Sequence, residues 1–599
     1  MEKIWQLADK ISEDFKKEFP EIPGTILQLL NNRGLTKQTQ IDEFLYPDYS
    51  QDVHDPFLFQ DMEKAVTRIY QAIENKELIV IHGDYDADGV CAAAIIYLTL
   101  KSLGAEHLDI FLPDREIDGY GINKNTINIL AEAKTKLLIS CDCGISNFEE
   151  VTLARSKNID VIITDHHNVP QNIPPANAII HPKVPNEPYP DKGLSGGGVA
   201  FKLIQALTKY NLAQKYWGNQ NTKLENFEKW LLDLVAISSV ADMVPLLGES
   251  RTLTKYGLIV LNKTKRAGLK HLIEISTLGK NHTNSSPIKL TTSNISFQLA
   301  PRINAAGRVK HANNAFQLLI AADEDEAKEL ARELNANNQE RQKITEKMVS
   351  EAKAQINETN QDKAPIIFVI KENWPIGLVG LIASKLCNEF YKPVLVMTQT
   401  DGKIHGSGRS INEIDIMKKM VKLSNLFEKY GGHPQACGFT LKNSSQEGLE
   451  NFKKQFLDLI NQELLDKKII PILPIDAEVS LEEINWDLFD LLEKFEPFGQ
   501  NNPEPKYLAR GLTVACVEAV GGNCQHLKLL VKHNSLEHKK MIGFNFGDEN
   551  KVGKNWCEFL KPGDIIDVVF EISVNQWNGN RELQLKIVDL KLNQNNFSN

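Results

Sequence analysis

Four short apolar runs, LIVIHG (78–83), KLLISCD (136–142), DVIITDHH (160–167) and NAIIHP (177–182), alternate with longer stretches of helix-compatible sequence. This alternation predicts a parallel, doubly wound α/β sheet, in which ligands gather at the carboxyl ends of the strands. Residues 323–358 contain no proline or glycine. Ala327, Leu330, Ala331 and Leu334, then Ile344, Met348, Ala352 and Ile356, keep helical spacing there, which predicts one long helix joining two bodies. Beyond it APIIFVI (364–370) and KPVLVMT (392–398) predict strands of a second α/β unit, with glycine-rich turns expected at Gly377, Gly380 and HGSGRS (405–410). After about residue 470 the pattern becomes all-β. Five short strands separated by turn signals such as GGN and NGN predict a small barrel of the OB-fold type. The chain thus divides into an N-terminal segment 1–49, a first α/β domain 50–320, the connecting helix 321–360, a second α/β domain 361–465, a barrel 466–592 and a tail 593–599 expected to be disordered.

Composition narrows the function classes. At 599 residues the chain is too long for one core. No apolar run approaches the roughly 18 residues that span a bilayer. The N-terminal stretch MEKIWQLADKISEDFKKEF is charged and amphipathic without a signal-peptide core. A soluble, cytoplasmic protein is expected, with no membrane partner. The eight cysteines are scattered without a C-x-x-C, so neither a disulfide framework nor a structural zinc site is supported. A formal charge of −10 argues against polyanion binding by the whole surface, so any nucleic-acid contact must come from a local patch.

The chemistry concentrates at the strand ends. HGDYDADG (82–89) places His82, Asp84, Asp86 and Asp88 after the first apolar run. It could open a calcium loop of the D-x-D-x-D-G kind, but the twelfth position is Ile95 where a glutamate is needed, and the flanks read as strand then helix. Asp142 ends the second run, Asp165, His166 and His167 end the third, and Asp242 lies in ADMVP. Carboxylate and imidazole converging on one sheet edge suit manganese, magnesium preferring nearly all oxygen. Two divalent ions become plausible, with Asp142 as the bridge, one ion taking His82 and Asp86 and the other Asp88, His166 and Asp242. Asp84 is left for support behind the ligands.

Together HGDYDADG, DCG (142–144), DHH (165–167) and ADM (241–243) resemble the DHH phosphoesterase superfamily. Further along, PRINAAGR (301–308), LNANNQERQ (334–342), WPIGLVGLIASKL (374–386), SGRS (407–410), GGHPQACGF (431–439) and EPFGQNNPEP (496–505) resemble its RecJ family in order and spacing. The resemblance covers residue 50 onward. It implies a metal-dependent exonuclease that degrades single-stranded DNA from 5′ to 3′ into 5′-mononucleotides during DNA repair and recombination. It also implies single-strand-binding protein and a RecQ-type helicase as partners; a monomer is expected. Catalytic roles would fall to Asp84, Asp142, His166 and His167. His181 and the glycines Gly196 to Gly198 have no assignable role.

Substrate contacts are expected elsewhere. Ser407 and Arg409 supply a hydroxyl and a bidentate guanidinium suited to phosphate, and His433 follows two glycines where a backbone could approach a ligand or simply turn. In the family, this second unit holds nucleic-acid phosphates opposite the metals. Arg302 and Arg308 bracket Asn304 as a candidate phosphate clamp, with structural salt bridges the alternative, and Arg115 and Tyr120 could contact backbone and base. In the barrel, Lys528 and Lys532 beside Trp577 fit single-strand binding, although barrel aromatics can equally be core. Two rivals stand: a small-substrate DHH hydrolase acting on pyrophosphate, oligoribonucleotides or cyclic dinucleotides, which needs no barrel, and an inactive DNA-binding scaffold, which should have lost metal ligands.

Overall fold

The computed structural model of the protein describes residues 3–115, 117–209, 227–276, 289–309, 311–464, 469–533, 538–577 and 580–593. Residues near its two ends share one body. β1 (Ile4–Leu7) runs parallel to the segment Ile472–Ile475. The helices Gly24–Asn32 and Gln38–Leu45 turn Ile26, Leu27, Leu30, Ile41, Phe44 and Leu45 into the same core as Phe495, Tyr507 and Phe570. The N-terminal segment therefore completes the barrel's core.

The first α/β body is built on β2 (Ile79–Gly83), β3 (Leu108–Phe111), β4 (Leu137–Cys141), β5 (Asp160–Thr164) and β6 (Ala178–Ile180), all parallel in the order β3-β2-β4-β5-β6. β2 and β4 are buried at every position, which is why they read as unbroken apolar runs. β3, a half-buried edge strand of sequence LDIF, escapes that signature. Because the strand order reverses between β2 and β4, the loops leaving them open a crevice at their carboxyl ends.

The long helix forms over Glu324–Glu358, capped by Asp323, whose Oδ1 accepts the backbone N–H groups of Asp325 and Glu326. Its first half puts Ala331 and Leu334 into the core of the first body, and its second half puts Met348, Ala352 and Ile356 into that of the second. The second body carries β7 (Ile367–Glu372), β8 (Val394–Thr400), β9 (Lys403–Arg409), β10 (Phe427–His433) and β11 (Ala436–Leu441) in the order β10-β11-β9-β8-β7. Two expectations fail here. Gly377 and Gly380 lie in the helix Ile376–Phe390, and HGSGRS contributes a strand, β9. The glycines are packing sites: a Cβ on Gly406 would meet the Phe439 ring at 2.2 Å, and one on Gly408 the Cys437 sulfur at 2.6 Å.

The barrel is built from β14 (Tyr507–Val520), β15 (His526–Lys532), β16 (His538–Gly543), β17 (Ile565–Trp577) and β18 (Asn580–Leu592), with β13 (Ala477–Glu478) added parallel to β14 and β12 (Ile472–Ile475) paired with β1 in a separate two-stranded sheet. β14, β15, β16, β18 and β17 pair in that order, and β17 returns to β14 to close the five strands. Residues 594–599 of the expected tail, and 465–468 around the expected barrel boundary, lie outside the described residues.

The bodies are tied together at two places. The barrel meets the first body where Leu246 N–H donates to Gln500 O (2.9 Å), Thr292 Oγ1 to Phe498 O (2.7 Å) and Arg251 to Lys494 O (2.7 Å). The Arg251 guanidinium also lies 4.2 Å over the Phe44 ring. The first and second bodies meet where Arg308 donates to Gly377 O (2.7 Å). Phe44 packs edge-on against Phe495 at 5.2 Å and is 3% exposed, so Phe44→Ala should remove about 3–5 kcal/mol from the barrel body. Chemical denaturation followed by barrel tryptophan fluorescence checks this, and an unchanged transition would refute the shared core.

Candidate metal centre

Each strand end delivers its acid by a local device. Asp86 caps the helix Ala87–Ser102, its Oδ1 accepting the N–H groups of Asp88 (2.9 Å) and Gly89 (3.1 Å). Asp142 follows β4 with φ +61°, a left-handed conformation that costs energy in a non-glycine residue and marks a position the surroundings over-determine. Asp165 organises the next turn: Oδ1 accepts from the backbone N–H groups of His166 (2.7 Å) and His167 (3.1 Å), and Oδ2 from Ile145 N–H (2.9 Å). Asp242 ends the helix Leu232–Ala241.

The ligand atoms of Asp84, Asp86 and Asp142 lie within 4.8 Å of one another, as do those of Asp88, His166 and Asp242, and those of Asp142, His166 and His167. Asp142 thus belongs to two of the three groups, and His166 links it to the third, so the cluster reads as an oxygen-only lobe and an imidazole-bearing lobe that meet at Asp142. His166 Nε2 stands 3.1 Å from Asp142 Oδ1, 3.5 Å from Asp242 Oδ2 and 3.6 Å from Asp88 Oδ2. His82 and Asp86 do not share a ligand group. His82 is still inside β2, where its ring stacks on Phe111 and its Nδ1 lies 3.5 Å from Cys143 Sγ, while Asp84, one residue past the strand, turns its carboxylate into the cluster.

Burial and crowding set the charge states. Burial, reinforced by neighbouring carboxylates, pushes Asp84 and Asp142 well above the usual range, raises Asp86, and takes Asp242 to about 8. Burial holds His82 down at about 4 and lowers His166. Burial also opposes charge on His167, but the hydrogen bond and charge of Asp165, with Asp242 and Asp88, outweigh it and raise that ring to about 9. Asp165 is held low in return, against its burial, by His167, the Ile145 N–H and His166.

This donor set fits divalent cations. Asp84 Oδ1, Asp142 Oδ1, His166 Nε2 and His82 Nε2 are buried with no hydrogen-bond partner among the described residues, a costly state unless a cation completes them. One lobe offers only oxygen, and the other adds imidazole.

Sequence reasoning missed the glycines. Gly196 and Gly197, at the start of the helix Gly196–Lys209, donate their N–H groups to Asp88 Oδ2 and Oδ1 at 2.8 Å each, and Ser238 Oγ donates to Oδ1 at 2.5 Å. A Cβ on Gly196 would lie 2.6 Å from the Asp142 side chain. Three successive glycines opening a helix were the available signal.

The expected substrate residues divide. Arg302 is largely buried and donates to Asn335 and to Gln298 O, and Asn304 accepts Ala87 N–H at 2.7 Å. Asn304 thus braces the metal loop, while Arg302 is engaged by Asn335 and Gln298. Arg115 stacks 4.2 Å over the Tyr85 ring, and burial together with Arg115 and Arg341 lowers Arg308 to about 10. Arg115 and Arg308 lie near Asp86, with Arg341 near Arg308; Arg341, from LNANNQERQ, was not foreseen. Tyr120 donates to Asp142 O (3.1 Å) and contacts His167 Nδ1 (3.0 Å), its ring remaining exposed. Ser407 and Arg409 sit side by side on β9, 3.2 Å apart. His433 is exposed at the end of β10, and its Nδ1 lies 3.5 Å from Asn168 of the first body. The nearby Gly432 serves its own hairpin, where a Cβ would meet Ala436 O at 2.1 Å. In the barrel Lys528 is paired with Glu518 at 2.8 Å, Lys532 is exposed, and the side chain of Trp577 lies outside the described residues.

Known proteins resemble this chain along nearly its whole length. Residues 78–238 match the family model of the DHH family N-terminal domain, 362–465 that of the DHHA1 domain, and 475–589 that of the RecJ OB domain. The single-stranded-DNA-specific exonuclease RecJ of Bacillus subtilis (strain 168) is 35% identical over 575 residues, 96% of this chain and 68% of that protein. The exonuclease of the same name from Escherichia coli (strain K12) is 31% identical, over 95% of this chain and 96% of that one. The crystal structure of RecJ in complex with Mn2+ from Thermus thermophilus superposes with a TM-score of 0.79 at 25% identity, covering 99% of this chain and 80% of that one.

Two outcomes follow. Gly196→Ala should drive Asp142 out of the cluster and cost at least roughly tenfold in Mn2+ affinity by isothermal titration, while unchanged affinity would contradict the cradle. The second concerns pH. Unfolded aspartate and histidine titrate near roughly 3.9 and 6.5, whereas Asp242 and His167 in the metal-free fold sit at about 8 and about 9. Both folded values are raised, so their stabilisation is complete below the unfolded values and is lost as pH rises through the folded ones. With a chelator present, Tm should fall between about pH 7 and 8.5, and the gain in Tm from added Mn2+ should grow over that interval. An equal gain at both ends would contradict the assignment.

Proposed function

This chain belongs to the RecJ family, and from that membership we propose that it is a metal-dependent, single-stranded-DNA-specific exonuclease that works from 5′ to 3′ and releases 5′-mononucleotides in DNA repair and recombination. The observation that carries the reading is the two-lobed acidic and histidine cluster sharing Asp142, set beside the gathered arginines Arg115, Arg308 and Arg341. No helix among the described residues is long and apolar enough to cross a membrane. We further assign the protein to the cytoplasm as a monomer, with single-strand-binding protein and a RecQ-type helicase as partners. The domains run 50–320, 321–360, 361–465 and 466–592, with residues 1–49 belonging to the barrel body.

Asp84, Asp86 and Asp142 would hold one Mn2+ or Mg2+, and Asp142, Asp88, His166 and Asp242 the other. Bound there, the ions would neutralise charge developing on the scissile phosphate and lower the pKa of the attacking water. The protein's own groups do the rest. Arg115, Arg308 and Arg341 hold the phosphate backbone beside the cluster, while Ser407, Arg409 and His433 approach from the second body. Tyr120 offers its exposed ring to a nucleobase. His167, kept protonated by Asp165, can donate a proton to the departing 3′ oxygen. Substrate would lie in the crevice between the two bodies that Arg308 ties together.

The test incubates the protein with Mn2+ and 5′-labelled single-stranded DNA, duplex DNA, pyrophosphate and a dinucleotide. Mononucleotides released from long single strands support the reading, and hydrolysis of pyrophosphate alone would overturn it. Asp142→Ala should reduce cleavage at least roughly a thousandfold with the far-ultraviolet circular dichroism unchanged. Wild-type turnover by that variant would remove Asp142 from the mechanism.

A further inference from the structure

His181, Pro182 and Lys183 follow β6 and lie against the turn that presents His166 and His167. None belongs to the ligand groups. His181 is wholly buried, and both its ring nitrogens are engaged: Nδ1 accepts the backbone N–H of Lys183 (3.0 Å), so Nε2 carries the hydrogen and donates it to His167 O (3.0 Å). Lys183 Nζ donates to His166 O (2.5 Å). From the other side, Asp165 accepts the N–H groups of both histidines. The turn is therefore gripped on both faces, its amides by Asp165 and its carbonyls by His181 and Lys183.

We propose that His181 and Lys183 are positioning residues of the metal centre: by holding the carbonyls of His167 and His166 they fix the direction of His166 Nε2 toward Asp88, Asp142 and Asp242. This role rests on the metal-site reading above. A backbone turn free at its carbonyls can rotate its peptide planes, and a shift of under an ångström at His166 would spoil a ligand set spaced at 3.1 to 3.6 Å. His181 stays neutral because burial holds it at about 4, so its Nε2–H donor role is constant across the working range. Edge strand β6 thus serves as the anchor of the cluster, pairing Ile180 with Thr164 just before the gripped turn.

The test uses Lys183→Met, which keeps most of the stem and loses the donor, with Lys183→Arg as the conservative control and His181→Phe as the second variant. Mn2+ affinity is read by isothermal titration, the ligand field by the visible spectrum of the Co2+-loaded protein, and the fold by Tm of the metal-free protein. Lys183→Met should bind Mn2+ about ten- to a hundredfold more weakly, shift the Co2+ bands and keep its metal-free Tm, while Lys183→Arg recovers most of the affinity. At saturating Mn2+ its KM for single-stranded DNA should match wild type, which separates this role from substrate binding. Unchanged Mn2+ affinity in Lys183→Met would overturn the proposal. So would a loss that appears only alongside a lowered metal-free Tm and is not rescued by arginine. If the wild-type protein binds Mn2+ yet cleaves no DNA while Lys183→Met binds Mn2+ more weakly, the functional reading fails and the positioning role stands.

Discussion

The packing of carboxylates against one another at the carboxyl edge of a parallel sheet is the constraint on which the rest depends. Asp84, Asp86, Asp142 and Asp242 occupy a space in which, without cations, burial and mutual repulsion push their carboxyls above the usual range. Nothing in the fold relieves this by distance. It is instead enforced, by the left-handed backbone at Asp142, by the helix cap at Asp86, and by glycines whose missing side chains leave Asp88 and Asp142 room to converge. Such strain persists only where something offsets it, and two divalent ions do so.

The surrounding bodies then serve the cluster. Helix Ala300–Val309 braces the metal loop through Asn304, the long helix carries Arg341 close to Arg308, and the second body arrives through the Arg308–Gly377 contact. The barrel binds back to the first body through Leu246, Arg251 and Thr292, with the N-terminal helices filling its core. One chain therefore encloses its active edge between covalently and non-covalently linked walls, which suits a substrate admitted by an end.

Much of this was legible in the residues. Fully buried strands announced themselves as apolar runs, the long helix by its uninterrupted period, and the ligand-bearing turns by acid and imidazole at strand ends. What escaped did so for physical reasons. His82 and Asp84 differ by two positions and each presents a buried atom without a partner, so residue type alone does not say that Asp84 is the one grouped with Asp86 and Asp142. Gly406 and Gly408 looked like turns because sequence does not distinguish a glycine needed for its backbone from one needed for its missing side chain. Arg302 and Asn304 looked free because their partners, Asn335 and Ala87, are distant in sequence. The gripping residues His181 and Lys183 act through backbone carbonyls, which leave no trace in residue types.

The central claim is that Asp142 is shared by two ions. Anomalous diffraction from crystals soaked in Mn2+ measures this directly. Two peaks about 3.5–4 Å apart, with one oxygen or the two oxygens of Asp142 reaching both, is the expected result. A single peak, or two peaks of which Asp142 touches only one, would contradict the account.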